Sequence, residues 1–184
     1  MDDRAAPTPR YRPLEFAVKR VTLRDGAPGV RYLHADQPLR DYPARLADRL
    51  RHWAETAPDR TFMARRVPRA DGTLGDWRHV SYAEAWSSAR SIAQALIDRG
   101  LSAERPVAIL SENGLEHALM ALGCLVAGVP FVPTSPPYSL ISTDYSKLRH
   151  VLATTTPGLV FAADGTRWWP VRWDRAFSVR VRSG

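Results

Sequence analysis

Between Ser81 and Ala162 the apolar positions switch repeatedly between helical and extended spacing. Ala85, Ala89, Ile92, Ala93, Leu96 and Ile97 recur at i, i+3 and i+4, which predicts an amphipathic helix with that face inward. Ser81-Tyr82-Ala83-Glu84 at its start fits a capping box, in which Ser81 accepts from the third amide and Glu84 reaches back to the cap N–H. Gly100 supplies the stop, because glycine enters the left-handed conformation freely. Val107-Ala108-Ile109-Leu110 is apolar without alternation, the pattern of a parallel strand covered on both faces. A second helix is predicted from Leu115 to Ala127, ended by Gly128, and then a strand around Phe131-Val132-Pro133. Pro133 has no N–H to donate, so it belongs at the end or edge of that strand. A helix near Asp144–Ala153 leads into the apolar run Gly158–Ala162. This α-β-α-β-α-β order with short connections predicts an α/β fold, a mainly parallel sheet flanked by helices.

Upstream the pattern is different. Phe16–Arg24 alternates as a strand, Asp25-Gly26-Ala27-Pro28-Gly29 reads as a turn, and Val30–His34 returns as a second strand. Leu46, Leu50, Trp53 and Ala54 recur at helical spacing between Pro43 and Pro58. Thr61–Val67 and Trp77–Val80 flank the polar stretch Ala70–Asp76, which predicts a hairpin with a long tip. The reading divides the chain into an N-terminal extension with a β-hairpin (residues 1–40), an α/β portion (41–165) and a basic Trp/Arg-rich tail (166–184).

The length, 184 residues, suits one domain, and at this size roughly 70% of the extended chain's surface can be buried. A 45% hydrophobic and 24% charged composition excludes wholesale disorder. The single Cys124 excludes an internal disulfide framework and any multi-cysteine metal site, and it fits a reducing compartment.

The net charge of +7 raises nucleic-acid binding as a function. Its distribution argues against it. Residues 1–24 carry six basic and three acidic side chains, and residues 165–184 carry five and one, while the 140 residues between hold fifteen of each. A phosphate-binding surface needs its basic stripe on a folded face, so no nucleic-acid partner is expected. If the tail did bind DNA, retention would be salt-sensitive and would disappear on deleting residues 166–184. The start, Met1-Asp2-Asp3-Arg4, lacks the apolar segment of a signal peptide. The Leu115–Ala127 helix would rise roughly 20 Å, short of a ~30 Å hydrocarbon core. No membrane partner is therefore expected, and a cytoplasmic location is.

Four stretches carry a resemblance: Val80-Ser81-Tyr82-Ala83-Glu84, Leu96–Leu101, Arg105–Asn113, and Leu125-Val126-Ala127-Gly128-Val129-Pro130-Phe131-Val132-Pro133. In this order and spacing they resemble the N-terminal region of the adenylate-forming enzymes, the superfamily of acyl-CoA synthetases, luciferases and non-ribosomal adenylation domains. Arg49–Arg60, Ser135-Pro136-Pro137-Tyr138-Ser139-Leu140-Ile141-Ser142, Lys147–Leu152 and Thr156–Phe161 are similar, more narrowly, to the feruloyl-CoA synthetase branch. The resemblance runs from about residue 12 to 165.

What the resemblance implies is a two-step reaction. ATP and an aromatic, feruloyl-like carboxylic acid form an acyl adenylate with release of pyrophosphate; the thiol of CoA then displaces AMP. ATP, Mg²⁺ and CoA would be the cofactors. In the family a Gly/Ser/Thr-rich loop ending in lysine holds the phosphates, and a lysine in a small C-terminal domain stabilises the adenylation transition state. No stretch here has the loop's composition: the two lysines are Lys19 and Lys147, neither preceded by clustered glycines. The chain thus reads as the front of a larger domain, inactive on its own, with no catalytic and no metal-binding residue assigned. The abrupt change after Asp164 is the change a lost reading frame in GC-rich DNA would produce.

The resemblance singles out Lys147 and Arg149, because some relatives use basic residues early on the equivalent helix to meet the phosphates of CoA's nucleotide; the competing reading is a solvated helix face. His117 and Cys124 read as helix-face and buried residues, and Glu112 and Glu116 as a solvated helix start favoured by the helix dipole. Tyr138 and Ser139 border either a substrate channel or only a tight turn. A second function class is a non-catalytic remnant or interaction module, which would self-associate through exposed apolar sheet edges.

Overall fold

The computed structural model describes residues 20–164. The predicted start of the first strand, residues 16–19, and the basic tail after residue 165 lie outside these residues. The chain divides into two compact units, Met1–Tyr42 and Pro43–Gly184.

In the first unit β1 (Val21–Asp25) and β2 (Arg31–Ala35) form an antiparallel hairpin with Leu23 opposite Leu33. The turn closes through Gly26 N–H donating to the Val30 carbonyl at 2.9 Å, with Gly29 at φ 82°. Every residue of both strands is exposed, Leu33 by 68%.

In the second unit α1 (Ala47–Thr56) precedes a ribbon of β3 (Thr61–Pro68) and β4 (Leu74–Ser81), each longer than the sequence pattern suggested. The pairing slips between Thr61 and Met63 and again between Arg66 and Pro68, the mark of a β-bulge. The helix α2 (Tyr82–Asp98) begins with the predicted box. Ser81 Oγ accepts from Glu84 N–H at 3.2 Å, and Ser81 N–H donates to Glu84 Oε2 at 2.7 Å. It ends in a Schellman arrangement, in which Gly100 N–H meets the Ile97 carbonyl and Leu101 N–H the Leu96 carbonyl, with Gly100 at φ 65°. Ala85, Ala89, Ala93 and Leu96 are buried as expected, whereas Ile97 is 53% exposed. Ile97 is still helical but lies about 100° round α2 from Leu96, beyond the edge of the face that packs.

Strand β5 (Val107–Ile109), helix α3 (Leu115–Ala127), strand β6 (Phe131–Pro133), the one-turn helix α4 (Pro137–Leu140), helix α5 (Ser146–Thr155) and strand β7 (Leu159–Phe161) complete the described residues. The sheet order is β6-β5-β7 with both pairings parallel. Among the described residues β6 is an edge strand, and Pro133 closes it, where its missing N–H costs no ladder bond.

Successive residues of β5 point to opposite faces, and each face has its own core. Val107 and Ile109 pack with Leu96, Cys124 and Val129 on the side of α2 and α3. Ala108 and Leu110 pack with Leu148, Leu152 and Val160 on the side of α5. A third cluster of Leu50, Val80, Ala85, Ala89 and Leu115 joins α1 and the ribbon to α2 and α3. The result is an α/β fold with a parallel sheet between helical layers. No helix among the described residues is long and apolar enough to cross a membrane.

Candidate functional site

In an open parallel sheet, ligands bind beyond the carboxyl ends of strands where the chain reverses its direction of winding. Here that point is β5, which is followed in sequence by β6 on one side and then by β7 on the other. The segments leaving the strands are tied together. Ser111 Oγ, buried, accepts from Ala163 N–H at 2.7 Å, and Thr134 N–H donates to the Ile109 carbonyl at 2.9 Å. The Nδ1–H of His117 donates to the Ser111 carbonyl at 3.3 Å, so this histidine braces the start of α3. Glu116 pairs with Arg78 of the ribbon at 2.8 Å, which joins two elements.

Cys124 is fully buried on α3, and the loss of water around its sulfur pushes the thiol up to about 11. It therefore behaves as a small core hydrophobe. Among the described residues no group of three His, Cys, Asp or Glu side chains is placed to hold a metal ion.

A groove runs along α4 and α5. Pro137 pre-sets the first turn of α4, and Ser139 turns inward, donating its Oγ–H to the Pro136 carbonyl at 3.2 Å. Ser139 is thus a buried turn residue; Tyr138, beside it, faces a groove. The chain then passes through Tyr145, held in the left-handed region at φ 54°. Ser142 and Asp144 hold that turn. Asp144 Oδ1 accepts from Ser142 Oγ–H at 2.9 Å and Ser146 N–H at 3.1 Å, and Ser142 Oγ accepts from Tyr145 N–H at 3.1 Å. The Ser146 N–H, with the Ser142 hydroxyl, holds the Asp144 carboxyl below its ordinary range, so the start of α5 keeps a fixed negative charge.

Tyr138, Ser146, Lys147, His150 and Val151 line an open groove of about 330 Å³. The Lys147 ammonium sits 5.5 Å from the centre of the Tyr138 ring, a cation–π contact. Arg149 is exposed but does not line this groove. The reason is helical geometry: two residues along α5 turn it about 200° from Lys147, with buried Leu148 between them. The structure thus joins Lys147 to Tyr138 and His150. Sequence reasoning did not single out His150, although its position one turn after Lys147 was a signal that the two share a face.

The chain is 25% identical to the fatty acyl-adenylate ligase of Legionella pneumophila, solved with acyl adenylate and pyrophosphate; the likeness covers 67% of this chain and 20% of that one at a TM-score of 0.56. With CmiS6 it shares 30% identity, over 70% of this chain and 30% of that one, at a TM-score of 0.51. A linear gramicidin synthase of Brevibacillus parabrevis is 32% identical over 76 residues, which are 41% of this chain and 2% of the synthase. The chain therefore spans a fifth to three tenths of these solved structures and a far smaller share of the synthase. The observed fold matches the N-terminal part of the adenylate-forming ligases. A family model described as AMP-binding enzyme matches residues 50–178, leaving the β1–β2 hairpin outside and entering the basic tail. The chain belongs to the AMP-binding enzyme family.

Proposed function

We propose that this chain forms the front part of an acid–CoA ligase of the feruloyl-CoA synthetase type, acting in the cytoplasm on an aromatic carboxylic acid with ATP, Mg²⁺ and CoA. Family membership supports the adenylate-forming chemistry. The observation that carries the CoA assignment is the groove beside α5, where Lys147 stands over the Tyr138 ring directly after the Ser135–Ser142 stretch. The residues present fit a phosphate-bearing ligand: the cation–π contact positions the ammonium while leaving its protons available to phosphate oxygens. Lys147 would meet phosphates from within the groove and Arg149 from the flank of the same helix. CoA, when bound, supplies the thiol that accepts the acyl group.

In this reading the chain alone does not catalyse the reaction, because its sequence has no Gly/Ser/Thr-rich stretch ending in lysine to hold the β- and γ-phosphates of ATP. An ATP-dependent hydroxamate assay with ferulate tests this, and turnover by the chain would defeat it. Reversing charge with Arg149→Glu should weaken CoA binding; unchanged CoA affinity would remove Arg149 from the site.

A further inference from the structure

We infer that α5 is a helix poised to open: it lifts off the sheet as a unit, turning about Tyr145 and Thr156, while α2 and α3 stay folded. The residues that bracket α5 both lie in the left-handed region without being glycine, Tyr145 at φ 54° and ψ 20° and Thr156 at φ 41° and ψ 56°. A β-branched residue is a genuine outlier there. Thr156 also precedes Pro157, and proline pushes the residue before it toward extended backbone. Such conformations persist only where the surroundings over-determine them. At one end Ser142 Oγ accepts from Tyr145 N–H at 3.1 Å. At the other, Thr156 N–H donates to the Leu152 carbonyl and Gly158 N–H to the Pro106 carbonyl, both at 2.9 Å. Opening α5 releases the strain at both ends.

Little holds the helix down against this. Of its 10 residues only Leu148 and Leu152 are buried, packed with Ala108, Leu110 and Val160 of the sheet segments. Toward α4 lies the open groove, where Tyr138 and Val151 line a gap and forgo the dispersion contacts of a closed seam. Lys147 and Arg149 stand near the start of α5, where the helix dipole disfavours cations, and its last turn has no basic residue. Asp144, just outside the helix, offsets part of this by accepting from Ser146 N–H at 3.1 Å. Val151, Thr154 and Thr155 add low helix propensity. The helices α2 and α3 are built the other way: Glu84 and Glu116 lie in their first turns, and Gly100 and Gly128 take the left-handed stops. The helix α1 is equally short, but neither of its ends is left-handed. Lifting α5 uncovers Ala108, Leu110 and Val160, so the groove is the closed form of a deeper apolar cleft on this side of the sheet.

Native-state hydrogen exchange of the full chain, read by mass spectrometry, tests this with no ligand present, so its outcome is separate from that of the CoA reading. In wild type the hydrogen-bonded amides of α5 should exchange about ten-fold or more faster than those in the middle of α3. Thr156→Gly and Tyr145→Gly put a residue without a left-handed penalty at each hinge. Each should slow exchange of α5 by roughly five-fold or more and leave α3 unchanged. Cys124, in the core on the other face of β5, is the reference for wider unfolding: it should stay unreactive to a thiol reagent while α5 exchanges. Equal exchange of α5 and α3 in wild type overturns the inference, whether or not a variant folds. Exchange of α5 that neither glycine variant slows overturns it as well.

Discussion

Gly123 on α3 lies against Ile92 on α2 so closely that a β-carbon at position 123 would overlap the branched end of the isoleucine. The contact sits where Ala85, Ala89 and Ala93 let the two helices approach, next to the core that seats β5. Helical glycine usually costs about 1 kcal/mol relative to alanine. Here the sign reverses. Gly123→Ala should destabilise the protein by about 1–3 kcal/mol through overpacking, and Gly123→Val by more. Urea unfolding followed by circular dichroism measures it; a stabilised Gly123→Ala variant would contradict the packing.

The box at the start of α2 gives a second expectation. Ser81→Ala removes the acceptor for the Glu84 amide and should cost about 1 kcal/mol. For a chain of this size that corresponds to a fall in Tm of roughly 2–4 °C. Thermal melts of Ser81→Ala and Ser81→Asp separate the cap from general damage at this site, because aspartate keeps the acceptor and should recover most of the loss.

Cys124 sets a limit at alkaline pH. Its folded-state thiol titrates near 11, above its ordinary 9.0, because burial disfavours the thiolate. The stability this group contributes is therefore fully present below pH 9 and is lost as pH rises toward 11. The native protein should react with a thiol reagent at pH 8 far more slowly than the urea-unfolded protein. Equal rates would mean that the sulfur is accessible.

These positions also show which parts of the molecule local sequence can specify. The helix Leu115–Ala127 and its stop at Gly128 follow from apolar spacing and the left-handed freedom of glycine, here at φ 71°. The capping box at Ser81 and Glu84 is legible for the same reason: all its partners lie within four residues. Ile97 misleads because it borders the apolar stripe, and how wide a stripe is covered depends on the elements packed against α2. The bulge at Thr61–Met63 depends on the strand opposite, and the left-handed Tyr145 depends on the Ser142 and Asp144 side chains around it. The groove is less legible still. Tyr138 and His150 line one groove only because α4 folds back beside α5, whereas the separation of Lys147 from Arg149 follows from their spacing on the predicted helix.

The measurement closest to the centre of the account is a titration of the chain with CoA, comparing wild type with Lys147→Glu. Lys147 lies exposed at the groove, so the variant keeps the fold while replacing the phosphate contact with a repelling carboxylate. The account predicts saturable binding by wild type and a loss of roughly ten-fold or more in the variant, in line with the range for charge-assisted contacts. Equal CoA affinity for the two proteins, or no binding by wild type, would contradict it.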